Sequence, residues 1–554
     1  MLVYESVVVM NVISTDVLVI GSGAAGLSAA VYAANVGRQV LILDKGALGR
    51  SGSSVGAVQI AGLGDFSHPE DEPNIYLNDI LDSGRGLSDP SLAKILSNEI
   101  DKRLGEIMDW GLKLDQSKDQ NVLLSHTSGH RLPRSLSAKK GKTGLGILHT
   151  LRKKATKNNR ITTWSDVITV ELVKDGNRVI GAAVIDLTTN TPYVIQSKST
   201  ILATGGAAQL FPVTSNPVQS TGDGFALGLQ AGATLIDMEQ IQFYPVSVAK
   251  PASIAGLCIS FYHYSKLYNA NGDRFMTKYA PDTLEDATRD VLSIAIATEL
   301  KEGRGPLTLD ATDVIDQVKQ EFPHEYQLCA DQGVDLAKEP ITIAPASHFM
   351  MGGVLINEYA QSDVKGLYVA GETSGGLHGG NRLGNNALSE CLVFGARAGI
   401  HASYETFTKT PKYDLAKLDK FLQTKSGQHR PFEIKMLIQE VMNQFVGIIR
   451  TESGLQEALN RMNAIGQKLQ NIHLSDTSTY SREVLDFIEA THMYKTADAV
   501  VHSAFQRRES RGAHYIEEYP KLQNAIMHNL FYRRQGQNEL RQKEVHPNDT
   551  TSEN

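Results

Sequence analysis

The sequence predicts an α/β protein: a split, Rossmann-like dinucleotide-binding domain interrupted by an inserted α+β cap domain and followed by a C-terminal helical domain. Three observations carry this. From Asp16 the chain reads DVLVIGSGAAGLSAAVYAANVGRQVLILDKG, an apolar strand, a glycine turn, an alanine-rich helix and a second apolar strand ending in Asp44, which is a βαβ unit. Two more apolar strands with glycine-flanked ends, STILATGG at 199–206 and GLYVAGE at 366–372, lie far downstream. After about Leu415 the chain turns charged, glycine-poor and helical in period, as in TESGLQEALNRMNAIGQKL.

Taken in order, residues 1–14 form an N-terminal extension and 15–237 the first part of the nucleotide-binding domain, which includes a further strand at 178–186 (RVIGAAVID). Between 238 and 343 the composition becomes aromatic and polar with mixed helix and strand signals and no nucleotide motif, as expected of an inserted cap. Residues 344–414 return to the first domain, with a helix expected over 386–399. The helical domain covers 415–535, and the polar end, 536–554, is expected to be a disordered tail.

With 554 residues, 41% of them hydrophobic, the chain is long enough for two or three domains. A formal net charge of -7 provides no basic field for nucleic acid, and pairs such as Lys139-Lys140 are short, solvated runs. Cys258, Cys329 and Cys391 are far apart and form no Cys-x-x-Cys, so they build neither an iron–sulfur cluster, another metal site nor a disulfide framework, and a reducing cytoplasm is expected. No run approaches the ~18 apolar residues of a membrane span, so membrane association would come only through a partner subunit. The opening segment contains Glu5, lacks a basic n-region and a small-residue cleavage site, and is not read as a signal peptide.

The chemistry begins at Gly21, Gly23 and Gly26, a G-x-G-x-x-G between strand and helix. The first two allow a tight turn and close backbone approach, the third lets helix and strand pack, and the helix N-terminus, with Ala24 and Ala25, faces a pyrophosphate. Asp44 stands where an acid accepts from a ribose hydroxyl, with Lys45, Ser51 and Gly52 following it along the cofactor. Ala203, Thr204 and Gly205 at a strand end, and Asp223 in NPVQSTGDGFALGLQAGA, add a second set of contacts. Gly371 and Glu372 end a strand, and Asn386, Ala387 and Leu388 begin a helix whose N-terminus points toward an isoalloxazine ring. So long a second contact segment favours FAD over NAD.

Further motifs make the reading specific: TSGHRLPRSLSAKKGKTG, TGDGFALGLQAGA, DMEQIQF, NGDRFMTKYAP, PASHFMMGGV, GLHGGNRLGNNALSECLVFGARAG and RRESRGAHYIEEYP. In this order, from about residue 15 to 525, the chain resembles the flavoprotein subunits of succinate dehydrogenase and fumarate reductase, together with the L-aspartate oxidases. The resemblance implies FAD, a small carboxylate substrate held between cap and FAD domain, and hydride transfer between the two. It assigns His348 and Arg382 to a carboxylate clamp, where a planar guanidinium fork suits bidentate contact, and counts Arg382 among the cofactor-binding residues too. It assigns Arg289 to proton donation during C=C reduction, a role that an always-charged group can also fill as an electrostatic stabiliser. The plainer alternatives are an ion pair of Arg289 with Asp286 or Asp290, and a core histidine at position 348.

Three departures qualify the resemblance. The family's Gln-Phe-His-Pro reads QFYP, placing Tyr244 where a substrate-contacting histidine is usual. The family's Thr-Glu-Gly-Cys-Arg-Gly-Glu-Gly run, a substrate contact and proton relay, is replaced by GLCISFYHYSK, with Cys258 near the glutamate and Phe261 near the arginine of that run. Tyr262, His263 and Tyr264 are the candidates for a substitute relay. Finally, Arg50-Ser51-Gly52-Ser53 lacks the histidine that bonds flavin in membrane-bound relatives, which implies non-covalent FAD and favours the reductive direction. The expected activity is therefore FAD-dependent reduction of an enoate, more readily a monocarboxylic one than fumarate, with electrons from a separate iron–sulfur subunit or a diffusible reductant. The alternatives are an L-aspartate oxidase and a flavin-binding electron-relay subunit without substrate chemistry of its own.

Overall fold

The structure, a computed structural model, describes residues 12–534 and 536–545. Strand β1 (Val12–Ile20) leads through the glycine turn into helix α1 (Ala24–Asn35) and strand β2 (Val40–Leu43). The chain returns to the same sheet with β3 (Ile161–Trp164), β4 (Val167–Asp175), β5 (Arg178–Asp186) and β6 (Thr191–Leu202), followed by helix α2 (Asp223–Ala231). The cap contributes β7 (Ile241–Val248), β8 (Lys266–Tyr268), α3 (Arg289–Lys301), β9 (Leu307–Asp310), α4 (Pro323–Asp331) and β10 (Ile341–Met350). Then come β11 (Leu367–Val369), α5 (Asn386–Ala402), the helices α6 (Pro431–Phe445), α7 (Glu452–Leu469) and α8 (Arg482–Gln506), and the hairpin β12 (Met527–Arg534) and β13 (Gln537–Glu544).

The main sheet runs β3-β2-β1-β6-β5-β4, with β11 also beside β6. β1 is parallel to β2 and β6, and β11 is parallel to β6, whereas β4 and β5 form an antiparallel flap. The run Val17–Ile20 is buried, as a central strand covered on both faces must be. Because β11 joins the sheet only after the cap has been threaded, the nucleotide-binding domain is split, and the cavity opens at the carboxyl ends of β1 and β6.

The cap has its own four-stranded antiparallel sheet, β7-β10-β9-β8, and a separate core including Val246, Leu267, Leu292 and Ile343. Three expected seams lie elsewhere. The boundary at 14/15 falls inside β1, whose residues Val12–Ser14 already pair with β6. The boundary at 343/344 falls inside β10, a single strand that runs from the cap sheet back to the flavin side. Helices α6, α7 and α8 bury Ile438, Leu455 and Val500 in the same core as β1 and α1, so residues 415–535 do not form a separate unit. The disordered tail expected from 536 is also corrected: Gln537–Glu544 pairs along its whole length with β12. Strand pairing uses backbone groups and tolerates outward charges, which suit an edge strand, so polar composition alone misled here. Residues 546–554 and 1–11 of the two expected terminal segments lie outside the described residues.

Candidate functional site

A cavity of about 450 Å³ lies between the sheet's carboxyl edge and the cap. At one end it is lined by Gly21, Gly23, Ala24 and Ala25, in the middle by Asp44, Lys45, Ser51, Gly52, Ala203, Thr204, Gly205 and Asp223, and beyond them by Gly371, Glu372, Ala387 and Leu388. At the cap end are Tyr244, Cys258, Arg289, His348 and Arg382. Sequence-distant residues thus converge on one space.

The glycine turn shows why its residues are small. A Cβ on Gly21, whose φ is +101°, would sit 2.3 Å from the carbonyl oxygen of Ala203, and one on Gly26 would sit 2.0 Å from that of Gly21. Gly26 serves packing and does not line the cavity. A Cβ on Gly23 would meet nothing closer than Ser54 Oγ at 3.6 Å, so this position is open toward the cavity. Gly23 precedes helix α1 and supplies no side-chain cap; Ala24 N donates to Ser54 Oγ at 3.3 Å, and the next N–H groups of the first turn face the cavity for a phosphate. These features fit a dinucleotide pyrophosphate.

Asp44 already accepts hydrogen bonds from the backbone N–H and hydroxyl of Ser22, from Gly46 N at 2.8 Å and from Ser51 Oγ at 2.7 Å. It shapes the turn as well as facing the cavity, and a ribose would have to share it. Lys45 Nζ is 2.8 Å from Asp223 and 2.9 Å from Glu489, a partner on α8 that the sequence did not reveal. Burial acts to raise the Asp223 carboxyl, but Lys45 and His492 outweigh it and hold it below its usual range. Glu372 accepts from Met350 N at 3.0 Å, and burial pushes it up to about 7. Asn386 departs from its expected place: its side chain accepts from Tyr76 OH at 2.8 Å, away from the cavity. The preceding Asn385, in the left-handed region at φ +62°, lines the cavity in its stead and donates to Thr127 Oγ1 at 2.9 Å.

At the cap end Arg289 Nη1 and Arg382 Nη2 donate to the same atom, Gln242 Oε1, at 3.2 and 3.0 Å. Gln242 is fixed in that orientation because its Nε2 donates to Asn381 Oδ1 and Arg382 O, both at 3.0 Å. Arg289 also stacks over the Tyr244 ring and Arg382 over Phe349. Among the described residues neither guanidinium pairs with a carboxylate. Asp290 instead binds Arg85 at 2.9 Å and Asp286 faces His126, which removes the structural ion-pair alternative for Arg289. Arg382 is 4% exposed, and its Nε is buried without a partner. Burial and the neighbouring Arg289 pull its pKa down to about 9, still a cation at neutral pH.

His348, near the end of β10, has Nδ1 2.8 Å from Ser215 Oγ and 3.8 Å from Cys258 Sγ. Burial, Arg289 and Arg382 push the imidazole well below its ordinary value, so it is neutral. Tyr244 packs edge-on against it, with ring centroids 5.0 Å apart, and donates its hydroxyl to Ile259 O at 3.2 Å. Tyr244 is therefore a wall, its one donor occupied by backbone. Of the three candidates for a substitute relay, Tyr262 packs edge-on against Tyr244, while His263 Nε2 is buried without a partner among the described residues. Gln242 and Glu325 are site residues that sequence reasoning missed. Gln242 stands two residues before Tyr244, but a register shift between Gln242 and Phe243 breaks the alternation that would have linked them, and nothing in PHEYQLC singles out Glu325.

Residues 16–388 match the FAD-binding domain family, and residues 435–553 match the fumarate reductase flavoprotein C-terminal family. The chain belongs to the fumarate reductase and succinate dehydrogenase flavoprotein family. As a member it is an FAD-binding oxidoreductase. It is 36% identical over 521 residues to one of the subunits of the fumarate reductase (CoM/CoB) of Methanothermobacter marburgensis, covering 91% of this chain and 94% of the relative. It is 32% identical to the L-aspartate oxidase of Vibrio cholerae, covering 91% and 96%. The FrdA chain of E. coli quinol fumarate reductase superposes with a TM-score of 0.90 at 26% identity, covering 97% of each chain. Among the described residues no helix is long and apolar enough to cross a membrane.

Proposed function

We propose that this flavoprotein reduces the C=C bond of an enoate, holding the substrate carboxylate between Arg289, Arg382 and His348 at the cap end of the cavity. The observation that carries this is the pair of guanidiniums without a carboxylate partner, joined only through the neutral Gln242. Two neighbouring cations in a largely buried site repel one another until an anion enters, so the geometry favours a carboxylate ligand. Bound FAD supplies the hydride. Arg382 has the planar fork for bidentate contact, and the neutral His348, with Nδ1 facing Ser215, keeps Nε2–H for a single donated hydrogen bond. Arg289 stabilises the negative charge that builds on the carboxylate side of the double bond and is the proposed donor of the proton that, with the hydride, completes the reduction.

The cofactor is held non-covalently, because residues 50–54 place only Ser and Gly side chains beyond Arg50 along the cavity and offer no imidazole. Flavin should leave the polypeptide on acid or heat denaturation; flavin that stayed with the denatured chain would overturn this. Electrons reach the site from outside, through an iron–sulfur subunit or a diffusible donor, in keeping with a relative that is itself one subunit of a fumarate reductase. The three cysteines, all free, support a reducing compartment.

The relatives keep a second reading in play, oxidation of L-aspartate. One experiment separates the two. Anaerobically reduced enzyme is mixed with fumarate, other enoates and iminoaspartate precursors, and oxidised enzyme with L-aspartate. Reoxidation by an enoate supports the proposal. Bleaching by L-aspartate without any enoate response replaces it, and silence in both arms points to an electron-relay subunit.

A further inference from the structure

Beyond the arginine pair the cavity continues into the cap, where Leu257, Cys258, Ser260, His324, Glu325 and Leu328 line it. Cys258 lies 3.8 Å from His348, so this lobe begins directly beside the proposed carboxylate grip. Glu325, on α4, is 5% exposed. Its Oε2 accepts Ser260 N–H at 2.8 Å and its Oε1 accepts the Ser260 hydroxyl at 2.6 Å. Among the described residues no Lys, Arg or His pairs with it, and burial pushes it up to about 7. His324 beside it is held below its ordinary value by burial and by Lys142, and adds no positive charge at neutral pH.

The hydrogen-bond polarity of this lobe follows. Ser260 has spent its only hydroxyl proton on Glu325, so above about pH 7, where Glu325 is ionised, what the pair offers a ligand is acceptor lone pairs. A carboxylate is acceptor-only and meets there no cation, no free Ser260 donor and an acid of its own kind. An N–H or O–H group finds partners at once.

We propose that Glu325 is a specificity-determining residue that makes the cap lobe an acceptor pocket, so that the substrate is an unsaturated monocarboxylate bearing an amide, amine or hydroxyl donor at its far end, and a second carboxylate is rejected. This rests on the reading that Arg289, Arg382 and His348 grip the single carboxylate.

The test uses FAD-loaded enzyme at about pH 8, where Glu325 is ionised, with an artificial electron donor and two isosteric substrates, fumarate and its monoamide. The wild type should favour the monoamide in kcat/KM by about tenfold or more, the worth of one hydrogen bond made by the amide and denied to the carboxylate. Glu325→Gln keeps an acceptor for Ser260 but removes the charge and adds a donor, and should move the ratio toward fumarate by about tenfold. Glu325→Asp, which keeps the charge, should retain the monoamide preference. A wild type that favours fumarate, or a Glu325→Gln ratio equal to the wild type while both substrates turn over, overturns the proposal. Titration of the flavin spectrum with succinate and succinamate tests the pocket without turnover. Succinamate should bind more tightly, and equal or tighter succinate binding counts against the assignment. If no enoate reoxidises the flavin yet succinamate is preferred, the reaction assignment fails and the pocket assignment stands.

Discussion

Ser215 Oγ lies 2.8 Å from His348 Nδ1, which leaves Nε2 as the ring nitrogen for a ligand. We assign the Ser215 hydroxyl as the donor to Nδ1, which puts the ring proton on Nε2, where that ligand can use it. Ser215→Ala should free the ring to adopt either tautomer and lower kcat/KM about tenfold, the worth of one positioned hydrogen bond. Because burial and two neighbouring guanidiniums hold the imidazole neutral, His348 should contribute no limb to the kcat/KM profile between pH 6 and 8. A His348 titration by NMR in that range would contradict the assignment.

The glycines of the turn should fail in different ways. Gly23→Val meets open space in the protein itself, so the variant should fold, show near-normal thermal unfolding without cofactor, and fail to retain FAD. Gly26→Val drives a side chain into the carbonyl of Gly21 and should not give folded protein. Purification of Gly23→Val with full yellow occupancy would show that the pyrophosphate lies elsewhere.

The Lys45 cluster predicts an acid limb of stability. Asp223 is held below its unfolded value, ~3.9 for an ordinary aspartate, by Lys45 and His492 despite burial. Its contribution is therefore complete above about pH 4 and is lost as pH falls from there toward the folded value. Lys45→Met removes the cation shared by Asp223 and Glu489, leaves Asp223 with His492 and Glu489 with Lys435, and should cost about 1.5–3 kcal/mol at pH 7. The gap between variant and wild type, measured by urea unfolding at saturating FAD, should narrow as pH is lowered through that window. A gap independent of pH would mean that Lys45 acts through packing alone.

What was legible in the sequence was whatever depends on local pattern. The βαβ unit reads directly because β1, the glycine turn and α1 each carry their own periodicity, and 178–186 matches β5 end to end. The arginine pair was reached through motif resemblance, since nothing local says that Arg289 and Arg382, on different elements, share one amide. Asn386 was misplaced by a single residue because a left-handed Asn385 rotates the first turn of α5, and a backbone angle of that kind leaves little trace in composition. Lys45 with Glu489, and Glu325 with Ser260, are contacts between distant segments that only the packed fold creates.

The arginine pair allows one prediction with opposite signs for stability and activity. Gln242 is the neutral bridge between two guanidiniums, and its orientation is locked by donation to Asn381 and Arg382 O. Gln242→Glu is isosteric and places a carboxylate at the position that both arginines address. It gives up the donors to Asn381 and to Arg382 O, about 2 kcal/mol for two hydrogen bonds, but supplies a counter-charge to two cations in a site of low dielectric. The substrate-free enzyme should become more stable to heat. The same change neutralises the anion site from within, so substrate kcat/KM should fall by a factor of about 100 or more, on the scale of a disrupted buried charge pair at 2–5 kcal/mol. The loss should appear chiefly as a raised KM, with the flavin spectrum unchanged. Arg382→Lys is the complementary probe: it keeps the charge, loses the fork, and should impair turnover without the gain in stability. If Gln242→Glu retained wild-type KM, the carboxylate would have to bind away from the arginine pair, and the assignment of this end of the cavity would fall.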